Sequence, residues 1–471
     1  MLAVAKSLFN TPRKPGTHDT VLLDFTELSQ NYLPAMIKQS NPTVTLRLCV
    51  MMFLQYAVWG IWLPPLAKYL GTELKFSPAQ IGWIMGLAGS AGALAAPFIA
   101  GQLADRYFRT ERVLASLLAA GAIVQYILSL QTSYFAWLFL SVLYSVMYMP
   151  TLALTNSVAF ANLSNSEKQF PVIRVWGTIG WIAAAWLFPL FWLLKDIQFQ
   201  WYPPFYQGTE VEGVTAKLID SMRISSITAL GYACFCLFLP ATPPKRNAVE
   251  PLAFAKAFGL FKRPSLAVLM LAGLLISTIH QIYFIQAWPF LSARGLMESR
   301  IQPAMSIGQF AEIAVLAVLG LLIAKLGFRW VITIGATAYF LRYGIFAMDS
   351  LPIEVIVASQ ALHGFCYACF FAGAYIYVDR MAPDDVRNSA QTVFAIVMLG
   401  LGPILSAMLM QGLQAAFKVG DNPMDYSKMW GTLAAIGLVT TVIFAAFFRD
   451  ESRSGDKVTI AGAEPSISET A

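Results

Sequence analysis

Residues 241–265 read ATPPKRNAVEPLAFAKAFGLFKRPS, a basic connection carrying Lys245, Arg246, Lys256, Lys262 and Arg263. On either side of it the chain is a succession of apolar runs. Each is near the ~20 residues that a helix needs to cross the hydrocarbon of a bilayer. Six precede the connection, near 46–70, 80–104, 113–131, 135–158, 172–194 and 222–240. Six follow it, near 266–290, 303–324, 330–348, 353–378, 391–416 and 428–448. Numbered 1–12 in order, these spans predict an all-α integral membrane protein of two six-helix halves, the plan of a carrier whose site lies between repeats near the midplane. The expected organisation is an N-terminal extension (1–45), a first half (46–240), a linker (241–265), a second half (266–448) and a tail (449–471).

Composition agrees. Of 471 residues, 57% are hydrophobic and only 12% charged, with mean hydropathy +0.61, whereas a soluble chain carries roughly a quarter charged residues. The net charge of +6 therefore calls for no nucleic-acid partner. Basic residues gather on one side: Arg106, Arg109 and Arg112, then the linker, then Lys325, Arg329, Arg380 and Arg387. The positive-inside rule then places both termini in the cytoplasm, with the chain in the cell's inner membrane. Residues 1–45 are too polar for a signal peptide, and Val21–Met36 reads as a short surface helix. All five cysteines fall in spans. Cys366 and Cys369 form a CxxC, but aromatic residues surround it and no second ligand pair follows, so no metal, cofactor or disulfide is expected.

Polar groups inside the spans point to the site. Span 5 contains Phe170–Trp181, FPVIRVWGTIGW. Arg174, Thr178 and Trp181 lie at i, i+4, i+7 and share one helix face. An arginine inside a membrane helix costs several kcal/mol unless paired or wetted, about 2.5–3.5 on insertion scales, which marks it as functional. Glu312 lies in span 8, one turn after Gln309 on the same face, and is the acid expected to carry the coupling proton. Apolar burial favours its neutral form and a nearby arginine its anion, so alternating surroundings can load and unload it. A static Glu312–Arg174 pair is the alternative. Further mixed faces are Gln55, Trp59 and Trp62 on span 1, Tyr148, Thr151 and Thr155 on span 4, Gln281, Phe284 or Ile285, and Trp288 on span 7, and His363 with Tyr367 on span 10. Together they describe a cavity that hydrogen-bonds a ring-containing solute while stacking on it. Arg342, mid-span 9, reads as a structural pair or a snorkelling side chain. His280 reads as a packed neutral histidine pointing away.

In span 2, Gly82, Gly86, Gly89 and Ala93 form a small-residue stripe suited to close helix approach. Asp105, Arg106 and Arg109 follow span 2 and could latch one conformation as a charge network. Gly320–Arg329, GLLIAKLGFR, is a degraded second copy of that loop.

These blocks resemble the bacterial nucleoside:proton symporter family of the major facilitator superfamily, which includes nucleoside and xanthosine permeases. The matching stretches are Phe53–Leu63, Leu74–Gly82, Met149–Asn156, Phe170–Gly180, Ser306–Glu312 and Val386–Phe394. The resemblance implies the major facilitator fold and a nucleoside site between the halves. That site would use Arg174, Thr178, Trp181, Gln281, Gln309, Glu312 and the 363–371 region. Three positions depart from the family pattern: Phe284 replaces an asparagine, His363 a tyrosine and Ala368 an aspartate. The lost aspartate leaves Glu312 as the main proton site, and His363, which ordinarily titrates near neutrality, is a second candidate.

The expectation is a non-enzymatic secondary transporter, a monomer in the lipid bilayer, coupling nucleoside uptake to protons by alternating access. Its alternatives are the same fold moving a sugar, a nucleobase or an exported drug-like solute, and a non-transporting receptor. The short tails and the lack of a signalling domain argue against the receptor.

Overall fold

The structure is a computed structural model that describes residues 42–99, 107–164, 166–243, 259–383, 387–418 and 424–453. The extension with its Val21–Met36 segment, Asp105, Arg106, most of the linker and the end of the tail lie outside the described residues.

Among the described residues, ten helices are long and apolar enough to cross a membrane. One of them, Glu298–Phe346, is two spans in one, because Gly327 breaks it with φ 82° and ψ 166°. A positive φ favours glycine, which has no Cβ to clash. The 17-residue helix Asp220–Cys236 supplies span 6. The layout is thus consistent with the twelve spans expected. The remaining helices are Pro42–Thr72, Pro78–Phe98, Thr110–Leu128, Tyr134–Ala161 and Ser166–Phe188 as spans 1–5, and Pro264–Ala293 as span 7. Spans 10–12 cover Ile353–Met381, Ser389–Phe417 and Tyr426–Phe447.

Local sequence explains several boundaries. Span 2 starts at a capping box: the Ser77 hydroxyl accepts from the Gln80 backbone N–H, while the Gln80 side chain accepts from the Ser77 N–H, and Pro78 occupies the first helical turn. Span 12 starts at Asp425, whose carboxylate accepts from the Lys428 N–H at 3.1 Å.

A β-hairpin absent from the sequence expectation joins spans 5 and 6. Strand β1 (Leu194–Phe199) pairs antiparallel with β2 (Tyr206–Glu210), Leu194 opposite Glu210 and Phe199 opposite Tyr206. Its contacts reach the other half. The Glu210 carboxylate accepts from the Ser299 N–H at 2.7 Å, and the Tyr206 hydroxyl donates to the Ser299 carbonyl at 3.3 Å.

The small-residue stripe faces span 11 of the opposite half. A Cβ on Gly86 would lie 2.4 Å from the Pro403 carbonyl oxygen, and Gly82 lies against Met410. Ser90 donates to the Gly400 carbonyl at 2.5 Å, Trp83 to Gln411 at 3.1 Å, and the Ala79 N–H to Gln414 at 2.7 Å. Elsewhere Gln302 donates to the Gly60 carbonyl at 2.7 Å and Trp186 to Ser306 at 2.9 Å. These cross-half bonds cluster toward the end of the bundle opposite the chain termini, called here the distal end. That end is closed.

Candidate substrate cavity

A cavity of about 390 Å³ lies between the halves, within the range of small-molecule sites. Its wall contains all nine residues expected from sequence: Arg174, Thr178, Trp181, Gln281, Phe284, Gln309, Glu312, His363 and Tyr367. Of the latch residues, only Arg109 is described. It is exposed at the start of span 3 and makes no side-chain cap there.

Glycines set the wall. Gly180 brings span 5 against span 1 so closely that a Cβ would lie 2.2 Å from the Phe53 carbonyl oxygen, and Gly60 meets Trp181 in the same seam. This puts Arg174 over the ring of Tyr56, Cζ 4.1 Å from its centroid, and stands Trp181 edge-on to Trp59 at 5.7 Å. On the other half Gly308 lies against His363, and Gly364 against the backbone of Ala311 and Glu312. Spans 8 and 10 thereby deliver Gln309, Glu312 and His363 to one place. The halves meet at Trp181 and Phe284, centroids 6.4 Å apart and near perpendicular.

Glu312 is 8% exposed, Arg174 is half-buried, and both line the cavity. No ion pair within 4 Å joins them among the described residues. The static pair considered from sequence is not formed here. Arg174 is the cation whose field bears on Glu312. The Gln309 Oε1 is buried without a hydrogen-bond partner among the described residues.

Several sequence expectations change. Arg342 does not snorkel: it is 0% exposed, stacks over Tyr283 with Cζ 3.9 Å from the ring, donates to His363 Nδ1 at 3.0 Å and donates to the side-chain Oε1 of Gln360. Because a guanidinium only donates, His363 Nδ1 must be an unprotonated acceptor. His363 is therefore a neutral ring in this state. His280 does not point away. It lines the cavity, with its ring parallel to His363 at 5.6 Å and Nδ1 2.7 Å from the Tyr339 hydroxyl. Trp288 leaves the site, donating to Glu298 at 2.6 Å near the distal end. Gln55 holds Thr151 and Thr155 at 2.8 and 3.0 Å, so these three pack spans 1 and 4 together, while Trp59, Trp62 and Tyr148 remain on the cavity wall. Tyr56 was missed. Its position, three residues before Trp59 on span 1, was the available signal. In span 10 the wide π-helical turn Cys366–Ala372 follows His363, a departure from α-geometry of the kind found at functional sites.

A family model described as a nucleoside H+ symporter matches residues 43–453. The putative nucleoside transporter YegT of Escherichia coli K12 is 31% identical over 418 residues, covering 86% of this chain and 94% of its own. Xanthosine permease of the same organism is 27% identical over 429 residues, covering 86% and 96%. The crystal structure of the nucleoside transporter NupG superimposes with a TM-score of 0.74 at 26% identity, covering 86% of this chain and 99% of that one.

Proposed function

Because the chain belongs to the nucleoside H+ symporter family, we propose that it carries nucleosides across the inner membrane together with protons, by alternating access around the cavity between its halves. The fold is that of the major facilitator superfamily. One observation carries the proposal: Glu312 and Arg174 line the same cavity without an ion pair between them. The charge on Glu312 is then free to respond to whatever occupies the space, which a symporter requires.

In this proposal Arg174, Thr178, Gln281 and Gln309 take the ribose hydroxyls. All four line the cavity, and each carries a side-chain group that can hydrogen-bond a hydroxyl. Trp181, Phe284 and Tyr367 flank the base, aromatic faces on which a planar ring stacks. A proton on Glu312 neutralises its charge while the halves rock. The basic-loop pattern puts both termini in the cytoplasm, so that the closed distal end faces outward and the structure corresponds to a state shut to the outside. Asp105, Arg106 and Arg109 would latch the cytoplasmic side in the opposite state. The unit is proposed to work as a monomer, without metal or cofactor.

The test is uptake of labelled uridine and adenosine in cells lacking their own nucleoside carriers, with and without a protonophore, for wild type and Glu312→Gln. Accumulation by wild type that is lost with the protonophore and in the variant is the expected result. A wild-type protein that reaches the membrane and moves neither nucleoside rules the substrate assignment out.

A further inference from the structure

The geometry points to His280 and His363 as a pair of fixed hydrogen-bond donors that select the nucleobase. They favour bases presenting an oxo group over bases presenting an amino group. This deepens the nucleoside proposal and rests on it.

An imidazole ordinarily can donate or accept at either nitrogen, and its partners decide which. Here both rings are fixed. Arg342 is fully buried, retains its proton under all ordinary conditions, and donates to His363 Nδ1. The single ring proton of His363 must therefore sit on Nε2. Arg342 is itself immobilised by the side-chain Oε1 of Gln360 and by the ring of Tyr283, so this assignment does not depend on a mobile group. His280 Nδ1 meets the Tyr339 hydroxyl at 2.7 Å. Tyr339 is 0% exposed and has no other hydrogen-bond partner among the described residues. Were His280 the donor, the buried Tyr339 proton would be orphaned. Tyr339 therefore donates, and His280 too carries its proton on Nε2.

The two rings lie parallel, 10° apart in plane. Both line the cavity, and neither Nε2 has a partner or is sealed within the protein among the described residues. Two N–H groups thus open onto the cavity beside Phe284, whose ring stands edge-on to His280 at 5.2 Å. This aromatic setting suits the base better than the ribose. An oxo oxygen has two lone pairs and can accept from both donors, whereas an unprotonated ring nitrogen has one and can accept from only one. An amino group opposes N–H to N–H and leaves at least one donor unpaired in a site that excludes water, the condition under which polar selection is strongest. Nucleoside pairs that exchange the oxo group for an amino group, and with it the ring N–H beside it for an unprotonated nitrogen, are uridine against cytidine and inosine against adenosine.

The experiment is competition against labelled uridine uptake by these four nucleosides, with the full-length protein in cells. Expected for wild type is that the oxo member of each pair competes at concentrations about tenfold lower than its amino partner, the loss due to an unpaired buried donor. His363→Gln should keep that order, because its amide oxygen can accept from Arg342 while its NH₂ still donates. His363→Phe and His280→Phe should shrink the ratio. Arg342→Gln should shrink it as well, since His363 can then take either tautomer. The ratio is the decisive readout: a variant that merely destabilises the protein lowers uptake in the presence of all four competitors alike. If wild type binds all four equally, or the ratio survives both phenylalanine changes, the donor pair is refuted while nucleoside transport stands. If none of the four binds, the nucleoside assignment fails and the donor pair with it.

Discussion

Lys68 Nζ lies 3.2 Å from Glu298 Oε1, joining the end of span 1 to the start of span 8 across the boundary between the halves. Ser292 bridges the pair, accepting from Lys68 at 2.8 Å and donating to Glu298 at 2.5 Å, while Trp288 donates to the second carboxylate oxygen. The side chains are only 18% and 10% exposed, so the pair is largely withdrawn from water at the closed distal end. Breaking one side of such a pair leaves the other charge uncompensated, whereas replacing both by apolar groups is often neutral.

Glu298→Gln and Lys68→Met should therefore each loosen distal closure, by about 1–3 kcal/mol. The check is thiol labelling at Leu66→Cys, a buried cavity residue near that end, which should speed up in either single variant and slow again in Lys68→Met/Glu298→Leu. Unchanged labelling in both single variants would show that the pair does not hold the end shut.

Arg174 offers a charge and a flat donor surface, and Tyr56 fixes its plane. Arg174→Ala should weaken nucleoside binding by tenfold or more, roughly the loss of one charged hydrogen bond. Arg174→Lys keeps the charge without the planar fork and should fall between the two. Calorimetric titration of the purified protein orders the three; equal affinity for all three would remove Arg174 from the site.

Gly364→Ala would press a methyl group to within 2.5 Å of the Ala311 carbonyl carbon and 2.6 Å of the Glu312 nitrogen. Backbone must move, costing about 1–3 kcal/mol and displacing Glu312. A lower melting temperature together with lost proton-driven accumulation is expected. Gly344→Ala, where nothing lies within 4 Å, should leave both near wild type or slightly raise stability. Equal behaviour of the two variants would contradict the close packing of spans 8 and 10.

At the start of span 12, Asp425 is held below the usual carboxylate range, first by the Lys428 backbone N–H and then by the Lys428 side chain. A carboxyl whose folded pKa is depressed contributes stability that is complete above its unfolded value, near ~4, and is lost as pH falls through the folded value. Asp425→Ala should thus lower the melting temperature at pH 7, with the gap to wild type closing below about pH 4. A gap of the same size at pH 7 and pH 3 would mean that the cap does not act through its charge.

The spans were legible because an apolar run near bilayer length is a local property of the chain. The break between spans 8 and 9 was legible too, because Lys325 and Arg329 interrupt the apolar run on either side of Gly327; that the turn is made by this one residue at positive φ was not. The hairpin escaped as well: LKDIQF and YQGTE are short, and their anchor, Ser299, lies in the other half. At the site, the i, i+4, i+7 spacing of Arg174, Thr178 and Trp181 put them on one face directly. His280 was lost by the same logic, because its neighbour Gln281 defined the face and periodicity alone turned His280 aside. What brings its ring to the cavity is Tyr339, from another span. Arg342 was judged from depth alone, and its partners Gln360 and His363 belong to span 10, so only tertiary packing reveals that it is a support behind the wall.

The hairpin grows from span 5 yet grips Ser299 at the start of span 8, and its turn carries Trp201, 90% exposed, into the surroundings. Each opening of the distal end must release that grip, and each closing must recover it. A folded reagent clamped on the Trp201 tip would act on the cycle without ever entering the cavity, so the molecule carries on its distal face a handle by which it can be stopped.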